Sequence, residues 1–347
     1  MSAEIREEDL RSSRRLIAAD DYLHTAGNDL TWNESRYIDF FDGSSALGGW
    51  LRTGMRPNEG HAEVSTCVNL PDGRCAFFYS RSPIDHNGLD AGGQSWLVGD
   101  PFRRSVVRYR GPALLLEDPW ALLDPKSAFA TSTRCQVSLE LHVSTLGIEA
   151  VMGSDQSHID LIFLPGQADW HYQHLCWTSG AVTVDGQRFD VDGRGGKDHS
   201  WGPRNWMAKH YMRWFTAVAE DDSIGFMLMR AVGPTKATRS GHLWMDGALH
   251  LVDDFHMANT FADEAPHQLT RTELVIRAGD NVVTAAGQPV SWVPLRHRAS
   301  GEGGESRPLR IVKSPTRWKF GDGRSGVGMS EIHDLVDNGG VPVGLDD

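Results

Sequence analysis

Three times along this chain an alternating apolar–polar run meets an Asp-Gly pair and doubles back. Val64–Leu70, Pro71-Asp72-Gly73 and Arg74–Tyr79 form the first hairpin signature, and Ala181–Val184, Asp185-Gly186 and Gln187–Val191 the second. His242–Met245, Asp246-Gly247 and Ala248–Val252 form the third. Period-two alternation sends successive side chains to opposite faces, and Asp-Gly tolerates the positive φ that tight hairpins need. Gln136–Val143, His158–Leu164, Trp214–Ala219, Ile224–Arg230 and Glu273–Arg277 have the same strand character. Helix is expected only in the charged N-terminal stretch and at Pro119–Leu123. Strands at this spacing predict an all-β protein of sandwich or barrel type rather than a parallel α/β sheet. Asp72 and Asp246 are accounted for by the turns themselves.

Leu164-Pro165-Gly166-Gln167-Ala168 is the expected seam between two β domains, 35–165 and 166–347, following an extension over 1–34. Ala299–Arg307, rich in Gly, Ser and Glu, is expected to be an exposed loop. A chain of 347 residues, 40% hydrophobic, is long enough for both domains to own a core. Its formal charge of -12 argues against a nucleic-acid backbone or an anionic membrane face as partner, and leaves an uncharged hydrophobic ligand open. Cys67, Cys75, Cys135 and Cys176 are scattered, which predicts reduced core thiols and neither a zinc site nor a disulfide framework. The N-terminus is too charged for a signal peptide, and no apolar run reaches the roughly 18 residues of a membrane span. A soluble, cytoplasmic protein is therefore expected. Nucleotide and serine-hydrolase chemistry has little support, because no G-x-G-x-x-G joins a strand to a helix and no P-loop or G-x-S-x-G elbow is present.

The densest chemistry lies in Gly195-Gly196-Lys197-Asp198-His199-Ser200-Trp201-Gly202-Pro203-Arg204-Asn205-Trp206. Glycine opens backbone positions closed to other residues and Pro203 fixes φ, so the segment is shaped. Asp198 can hold His199 in one tautomer or donate a proton itself, and Arg204 can set the ionisation of a nearby acid. The plainer alternative is a buried polar corner that satisfies backbone groups at a turn. The surroundings are aromatic: Trp170, Trp177, Trp201, Trp206 and Trp214, with Tyr172 and Tyr211, fall between 170 and 214 alongside His171, His174 and His210. Such side chains suit the wall of a cavity for a greasy molecule, as well as an ordinary core.

A carboxyl in that setting loses solvation and stays protonated nearer neutrality, and indole faces favour a developing cation. With Arg204 close, the carboxylate is held ionised instead, and His199 becomes the donor with Asp198 orienting it. In His171-Tyr172-Gln173-His174 the two histidines are three apart, hence on opposite faces of a strand. A set of His171, Gln173 and His199 has no ligand signature either, so no metal and no cofactor are expected. Glu331, within Gly326–His333, can face a cavity or form the polar face of an edge strand.

At Asp198–Arg204 the chain resembles the superfamily of paired lipocalin-like domains that includes AttH-like proteins, carotenoid 1,2-hydratases (hydroxyneurosporene synthases) and fungal intramolecular Diels–Alder cyclases. Within it the chain is most similar to a bacterial branch marked by G-x-D-H-S-W-G-x-R-x-W, here Gly196 to Trp206. Leu47-Gly48-Gly49-Trp50, Arg56-Pro57-Asn58-Glu59-Gly60 and the Pro71-Asp72-Gly73 hairpin fit that branch, so the resemblance runs from about residue 35 to 335. It implies two lipocalin-like antiparallel β-barrel or sandwich domains side by side, with cofactor-free handling of isoprenoid or polyketide-like molecules. His199 and Trp201 match the His-x-Trp element of the hydratases. Their Tyr-x-Asp element has no counterpart in Ile224–Met229, which carries no acid.

The expectation is an enzyme that starts hydration, dehydration, isomerisation or cyclisation of a hydrophobic small molecule by proton transfer. Its catalytic candidates are Asp198, His199, Arg204 and Glu331; its substrate-binding candidates are Trp201, Trp206, Trp214, Tyr211, His171, Gln173 and Trp177. The alternative is a carrier using the same cavity, with the motif as a latch between domains.

Overall fold

The structure is a computed structural model that describes residues 16–84, 88–146, 164–263, 265–300, 306–337 and 341–343. Nineteen strands dominate it. The first nine are β1 (Trp32–Asp42), β2 (Leu47–Arg56), β3 (His61–Asn69), β4 (Cys75–Pro83), β5 (Gln94–Asp100), β6 (Arg104–Leu116), β7 (Thr133–Thr145), β8 (Trp170–Val184) and β9 (Gln187–Pro203). They form one antiparallel sheet in the order β4-β3-β2-β1-β9-β8-β7-β6-β5. A further pairing of Cys75–Phe77 on β4 with Leu114–Leu116 on β6 closes that sheet into a barrel, leaving β5 outside the ring.

The remaining strands are β10 (Tyr211–Ala219), β11 (Ile224–Val232), β12 (Ala237–Met245), β13 (Ala248–Leu251), β14 (Asp254–Ala262), β15 (Ala265–Ala278), β16 (Asn281–Pro289), β17 (Val293–Ser300), β18 (Ser306–Phe320) and β19 (Ser325–Leu335). Their order is β13-β12-β11-β10-β19-β18-β16-β15-β14, with β17 added to β18. The Asp-Gly hairpins are the β3–β4, β8–β9 and β12–β13 connections, and Asp185 and Asp246 adopt positive φ there. Pro119–Leu123 is a 3-10 turn capped by Asp118, followed by the short helix α1 (Pro125–Thr131). Ala299 and Ser300 end β17 and pair with Arg307 and Ser306 of β18, so the expected loop is shorter, and 301–305 lie outside the described residues. The expected N-terminal helix and all but the last residue of the His158–Leu164 strand also lie outside them.

The sheets do not divide where the sequence suggested. β8 and β9 both follow the Leu164–Ala168 segment, yet β8 pairs with β7 and β9 pairs with β1. The Asp-His-Ser-Trp segment therefore belongs to the first sheet, and the division falls between Pro203 and Tyr211. A barrel closes only when a late strand returns to the first one, and a Pro-Gly pair in a connection carries no information about that partner.

Three apolar layers result. One fills the barrel (Ile38, Phe40, Leu51, Val107, Leu141 and others), and another lies under the second sheet around Phe215, Phe226, Ile276 and Trp318. The third, with Tyr37, Trp50, Leu175, Met212, Trp214 and Met227, lies between the sheets. Strands β1, β10 and β19 are consequently buried on both faces along almost their whole length. All four cysteines are buried and free; Cys67 and Cys75 place their sulfurs 3.4 Å apart. No helix among the described residues is long and apolar enough to cross a membrane.

At one end of the interface Asp222, in the β10–β11 turn, accepts from Trp177 Nε1 at 2.7 Å and from Arg194 Nε at 2.7 Å, while its own carbonyl accepts from Trp244 Nε1 at 3.1 Å. It joins β8 and β9 of one sheet to β12 of the other. Hydrogen bonds to a charged group contribute about 1.5–3 kcal/mol net. Trp177→Phe, which keeps a ring but loses the donor, is predicted to lower unfolding stability by about 1–2 kcal/mol in urea denaturation. An unchanged midpoint would show that Asp222 does not clamp the sheets through this indole.

Candidate functional site

Strand alternation decides which motif residues can meet. Asp198 and His199 are consecutive on β9 and so point to opposite faces. The register pairs Tyr37 of β1 with Asp198 and Arg36 with His199; on the other side Gln173 faces Asp198 and Tyr172 faces His199. The expected donor–orienter pair of Asp198 and His199 is thus not formed. Neither can His171 and Gln173, which share the Asp198 face, join His199 at one ion.

The His199 face looks into the barrel mouth, beneath the 3-10 turn Ala18–Asp21 and His24. His199 Nε2 lies 2.8 Å from Glu34 Oε1, and its Nδ1 lies 3.3 Å from the Tyr172 hydroxyl. Burial, reinforced by Arg36, lowers the His199 pKa to about 4 despite Glu34. Deeper in the barrel, Asp21 lies 3.6 Å from Arg36 and 3.5 Å from Lys197, accepts from the Phe102 amide at 2.7 Å, and accepts from the Tyr172 hydroxyl. Trp201 lines the same mouth, stacked on His24 at 4.0 Å with Trp170 beyond it. His199 and Trp201, the His-x-Trp pair, are therefore barrel residues, remote from Asp198 in facing if not in sequence.

The Asp198 face looks across the intersheet layer at β10, β18 and β19. Asp39 of β1 is fully buried there; its Oδ1 accepts from the Gly196 amide at 2.9 Å, and the Tyr37 hydroxyl also interacts with its carboxyl. The glycine pair is what admits it: a Cβ on Gly195 would stand 2.4 Å from Asp39 Oδ1 and 2.2 Å from its carbonyl. Desolvation pushes the Asp39 pKa up to about 7, with the Gly196 amide and Lys313 opposing. Lys313 of β18 pairs with Glu331 of β19, sits 4.1 Å above the Tyr37 ring and is itself lowered to about 7 by burial. Glu331 also takes His333 Nε2 at 2.9 Å. Lys209, just before β10, is lowered to about 7 by burial and by Arg204 and Arg52.

Asp198 is half-buried among these cations, and its charge raises the pKa of Lys313, Lys209 and Arg204. Arg204 donates to Ser200 Oγ at 2.6 Å and, among the described residues, forms no ion pair with Asp198. Trp206 gathers Arg52, Arg204 and Lys209 over its ring at 5.4–5.6 Å. Trp214 packs 5.6 Å from Tyr37, and its indole N–H has no partner. Gln173 Nε2 and His333 Nδ1 are buried and unpartnered in the same layer.

Of the residues singled out in the sequence, the seam between the sheets brings together Asp198, Arg204, Glu331, Trp206, Trp214, His171 and Gln173. It leaves out four. His199 and Trp201 face the barrel, and Trp177 is bound to Asp222. Tyr211 shares a face with Arg213 on the inner side of the second sheet, where Arg213 pairs with Asp334 at 2.8 Å. Asp39, Tyr37, Lys313 and Lys209 were not singled out; a signal was available in β1, where Glu34, Arg36 and Asp39 put charges on both faces of an otherwise aromatic strand. A groove of about 610 Å³ lined by Arg271, Leu274, Gly287, Arg317 and Trp318 opens on the second sheet and shares no residue with the seam.

Asp21 supplies a test of the barrel network. Burial pushes its pKa up, but Lys197, Arg36 and the Tyr172 hydroxyl hold it at about 2, below the free value of 3.8. The unfolded chain then takes up the proton first as pH falls. The stabilisation is complete above 3.8 and disappears as pH drops through about 2. Asp21→Asn is predicted to flatten the acid limb of a stability–pH curve across that window and to cost at least about 2 kcal/mol at neutral pH. An unaltered acid limb would remove Asp21 from the balance.

A family model described as "Domain of unknown function (DUF7064)" matches residues 18–336. No curated protein matches the sequence significantly. Among solved structures, an AttH protein from Nitrosomonas europaea superposes with a TM-score of 0.59 at 13% identity, covering 92% of this chain and 96% of its own. CghA gives 0.55 at 13% identity, over 93% of this chain and 97% of its own. Kievitone hydratase from Nectria haematococca gives 0.50 at 9% identity, over 92% of both chains. At such identities the likeness is one of fold: an all-β, AttH-like architecture of lipocalin type.

Proposed function

The chain belongs to the DUF7064 family, and from that premise we propose that it is an enzyme moving protons in the seam between its two sheets. Its substrate is a hydrophobic, isoprenoid-like small molecule. The reaction is proton-initiated: hydration of an alkene, dehydration of a tertiary alcohol, isomerisation or ring closure. The observation that carries this reading is Asp39, a fully buried carboxyl with a pKa raised to about 7, facing Lys313 across the layer between the sheets. A general acid works best when its pKa lies near the working pH, and strongly displaced groups concentrate at functional sites.

In this reading protonated Asp39 gives its proton to the substrate, and neutral Lys313 takes up the proton released by the adding water or the adjacent carbon and passes it to the Asp39 carboxylate. Asp198 and Glu331 hold the surrounding cations in place, and Arg204 sets the charge of the Asp198 edge. Tyr37, Trp50 and Trp214 turn ring faces toward the layer and favour positive charge developing on carbon. Gln173 Nε2 and Trp214 Nε1 offer unused donors to a substrate oxygen. His171 and Trp206 complete the wall. That one protein of this fold is named a hydratase adds weight to water addition or removal.

The test needs no prior substrate. The purified chain is extracted and the extract screened by mass spectrometry for lipophilic molecules; any found are incubated with fresh protein in D2O. Solvent deuterium incorporation, or a mass change of one water, is expected with wild type and is predicted to fall at least about 100-fold in Asp39→Asn and Asp198→Asn. A ligand bound tightly but never labelled or changed would make the protein a carrier and overturn the proposal.

A further inference from the structure

We propose that His24, Glu34 and His199 form a binding site for a divalent transition-metal ion at the mouth of the first barrel. The site lies on the face of β9 opposite Asp198 and does not depend on the chemistry assigned to the seam. One ligand atom from each residue, His24 Nδ1, Glu34 Oε1 and His199 Nε2, falls within 4.8 Å of the other two. His24 Nδ1 lies 2.9 Å and His199 Nε2 2.8 Å from the same carboxylate oxygen. Tetrahedral coordination with bonds of about 2.0–2.1 Å separates ligand atoms by about 3.3 Å, so each nitrogen–carboxylate separation needs to widen by only about half an ångström, and the two imidazole nitrogens already lie within 4.8 Å of each other.

The outer contacts are those that ligating side chains require. His24 Nε2 faces Asp20 Oδ1 at 3.1 Å, His199 Nδ1 faces the Tyr172 hydroxyl at 3.3 Å, and Glu34 Oε2 accepts from the His24 amide at 2.9 Å. Proton counting, with His199 in its Nδ1–H tautomer and His24 neutral, points the same way as the geometry. The Tyr172 proton is used on Asp21, so the Tyr172 oxygen can only accept from His199 Nδ1. A neutral His199 then presents a lone pair, not a proton, to Glu34. His24 stands between two carboxylates and, when neutral, has a proton for only one of them. A cation between the three atoms resolves both conflicts: each imidazole donates outward, to Asp20 or Tyr172, and offers its inner lone pair to the ion.

Two imidazoles and one carboxylate suit a borderline ion such as Zn2+, Co2+ or Fe2+ rather than Ca2+ or Mg2+, which favour oxygen. The local charge permits it. Asp20, Asp21 and Glu34 supply three carboxylates against two cations, Arg36 and Lys197, within the barrel network. Glu34 and His199 are sealed from solvent, while the His24 side chain is 16% exposed and provides the route of entry. Trp201, stacked on His24, fixes its ring plane. Because His24 comes from the segment ahead of β1 whereas the other ligands lie on β1 and β9, the ion would pin that segment to the barrel.

The whole chain, stripped with EDTA and dialysed, would be titrated with Zn2+ by calorimetry and with Co2+ by visible absorption. One ion per chain is expected, with the d–d bands of four- or five-coordinate Co2+ and a higher thermal midpoint. His24→Ala, which lies outside the barrel strands, should weaken binding at least about 100-fold, and Asp20→Asn, an outer-contact change, by about 10–100-fold. His142→Ala, an exposed histidine on β7, should leave affinity unchanged. His24→Gln serves as the second variant should the alanine protein unfold. Absence of stoichiometric binding by the folded wild type overturns the proposal, as does undiminished affinity in the folded His24 variants, which would mark adventitious binding.

Discussion

The pairing of β1 with β9 supports everything else in this molecule. It joins the first four strands to the later ones in the ring that the β4–β6 pairing closes, and it provides the surface on which the second sheet lies. β1 is buried on both faces along almost its whole length and β9 from Gly193 to Gly202, so over that stretch neither has a solvent side on which to place charge. Yet they carry Glu34, Arg36, Asp39, Lys197, Asp198 and His199. Burying that many ionisable groups is unfavourable unless each finds a partner or changes its protonation state. The structure does both, on opposite faces of the same two strands.

On the barrel side the charges are paired. Asp21 is offset by Arg36 and Lys197, Glu34 is hydrogen-bonded by two imidazoles, and both carboxyls are held at about 2. On the seam side pairing is incomplete, and protonation gives way instead. Asp39 moves up and Lys313 and Lys209 move down toward the same range. Strong pairing suits anchoring of a chain segment or an ion. Incomplete pairing, with several donors left unpartnered, suits a layer that exchanges protons and receives a polar atom from elsewhere. The Gly195-Gly196 step allows the second arrangement, since only bare backbone lets the Asp39 carboxyl lie flat on β9.

Much of the architecture was legible in the residues. The three Asp-Gly turns located three hairpins correctly, and period-two alternation predicted the strands within Gln136–Val143, Ile224–Arg230 and Glu273–Arg277. Glu331 lies on β19, an interior strand between β10 and β18 rather than an edge, and turns toward the layer between the sheets. The Asp198–His199 partnership failed for a reason available beforehand: neighbours on a strand point apart, the same rule that separated His171 from His174. Trp177 and Tyr211 were grouped with the site on density of aromatic residues along the chain, whereas one is bound to a turn between sheets and the other lines the second sheet's inner side. Asp39, Lys313 and His24 went unnoticed because each lies far along the chain from the motif that it accompanies.

By itself, the sequence determined an all-β chain of antiparallel hairpins, the positions of its tightest turns and the segment richest in chemistry. These are local properties, set by side-chain period and by the φ preferences of glycine and aspartate over a few residues. Tertiary structure alone decided that β8 and β9 belong to the first barrel, that Asp198 and His199 serve different faces, that residues near 39, 198, 313 and 331 become neighbours, and that 24, 34 and 199 meet on the other face. Barrel closure and sheet packing bring together strands separated by more than a hundred residues, and both depend on register and shape complementarity summed over whole strands. No short run of residues contains that sum.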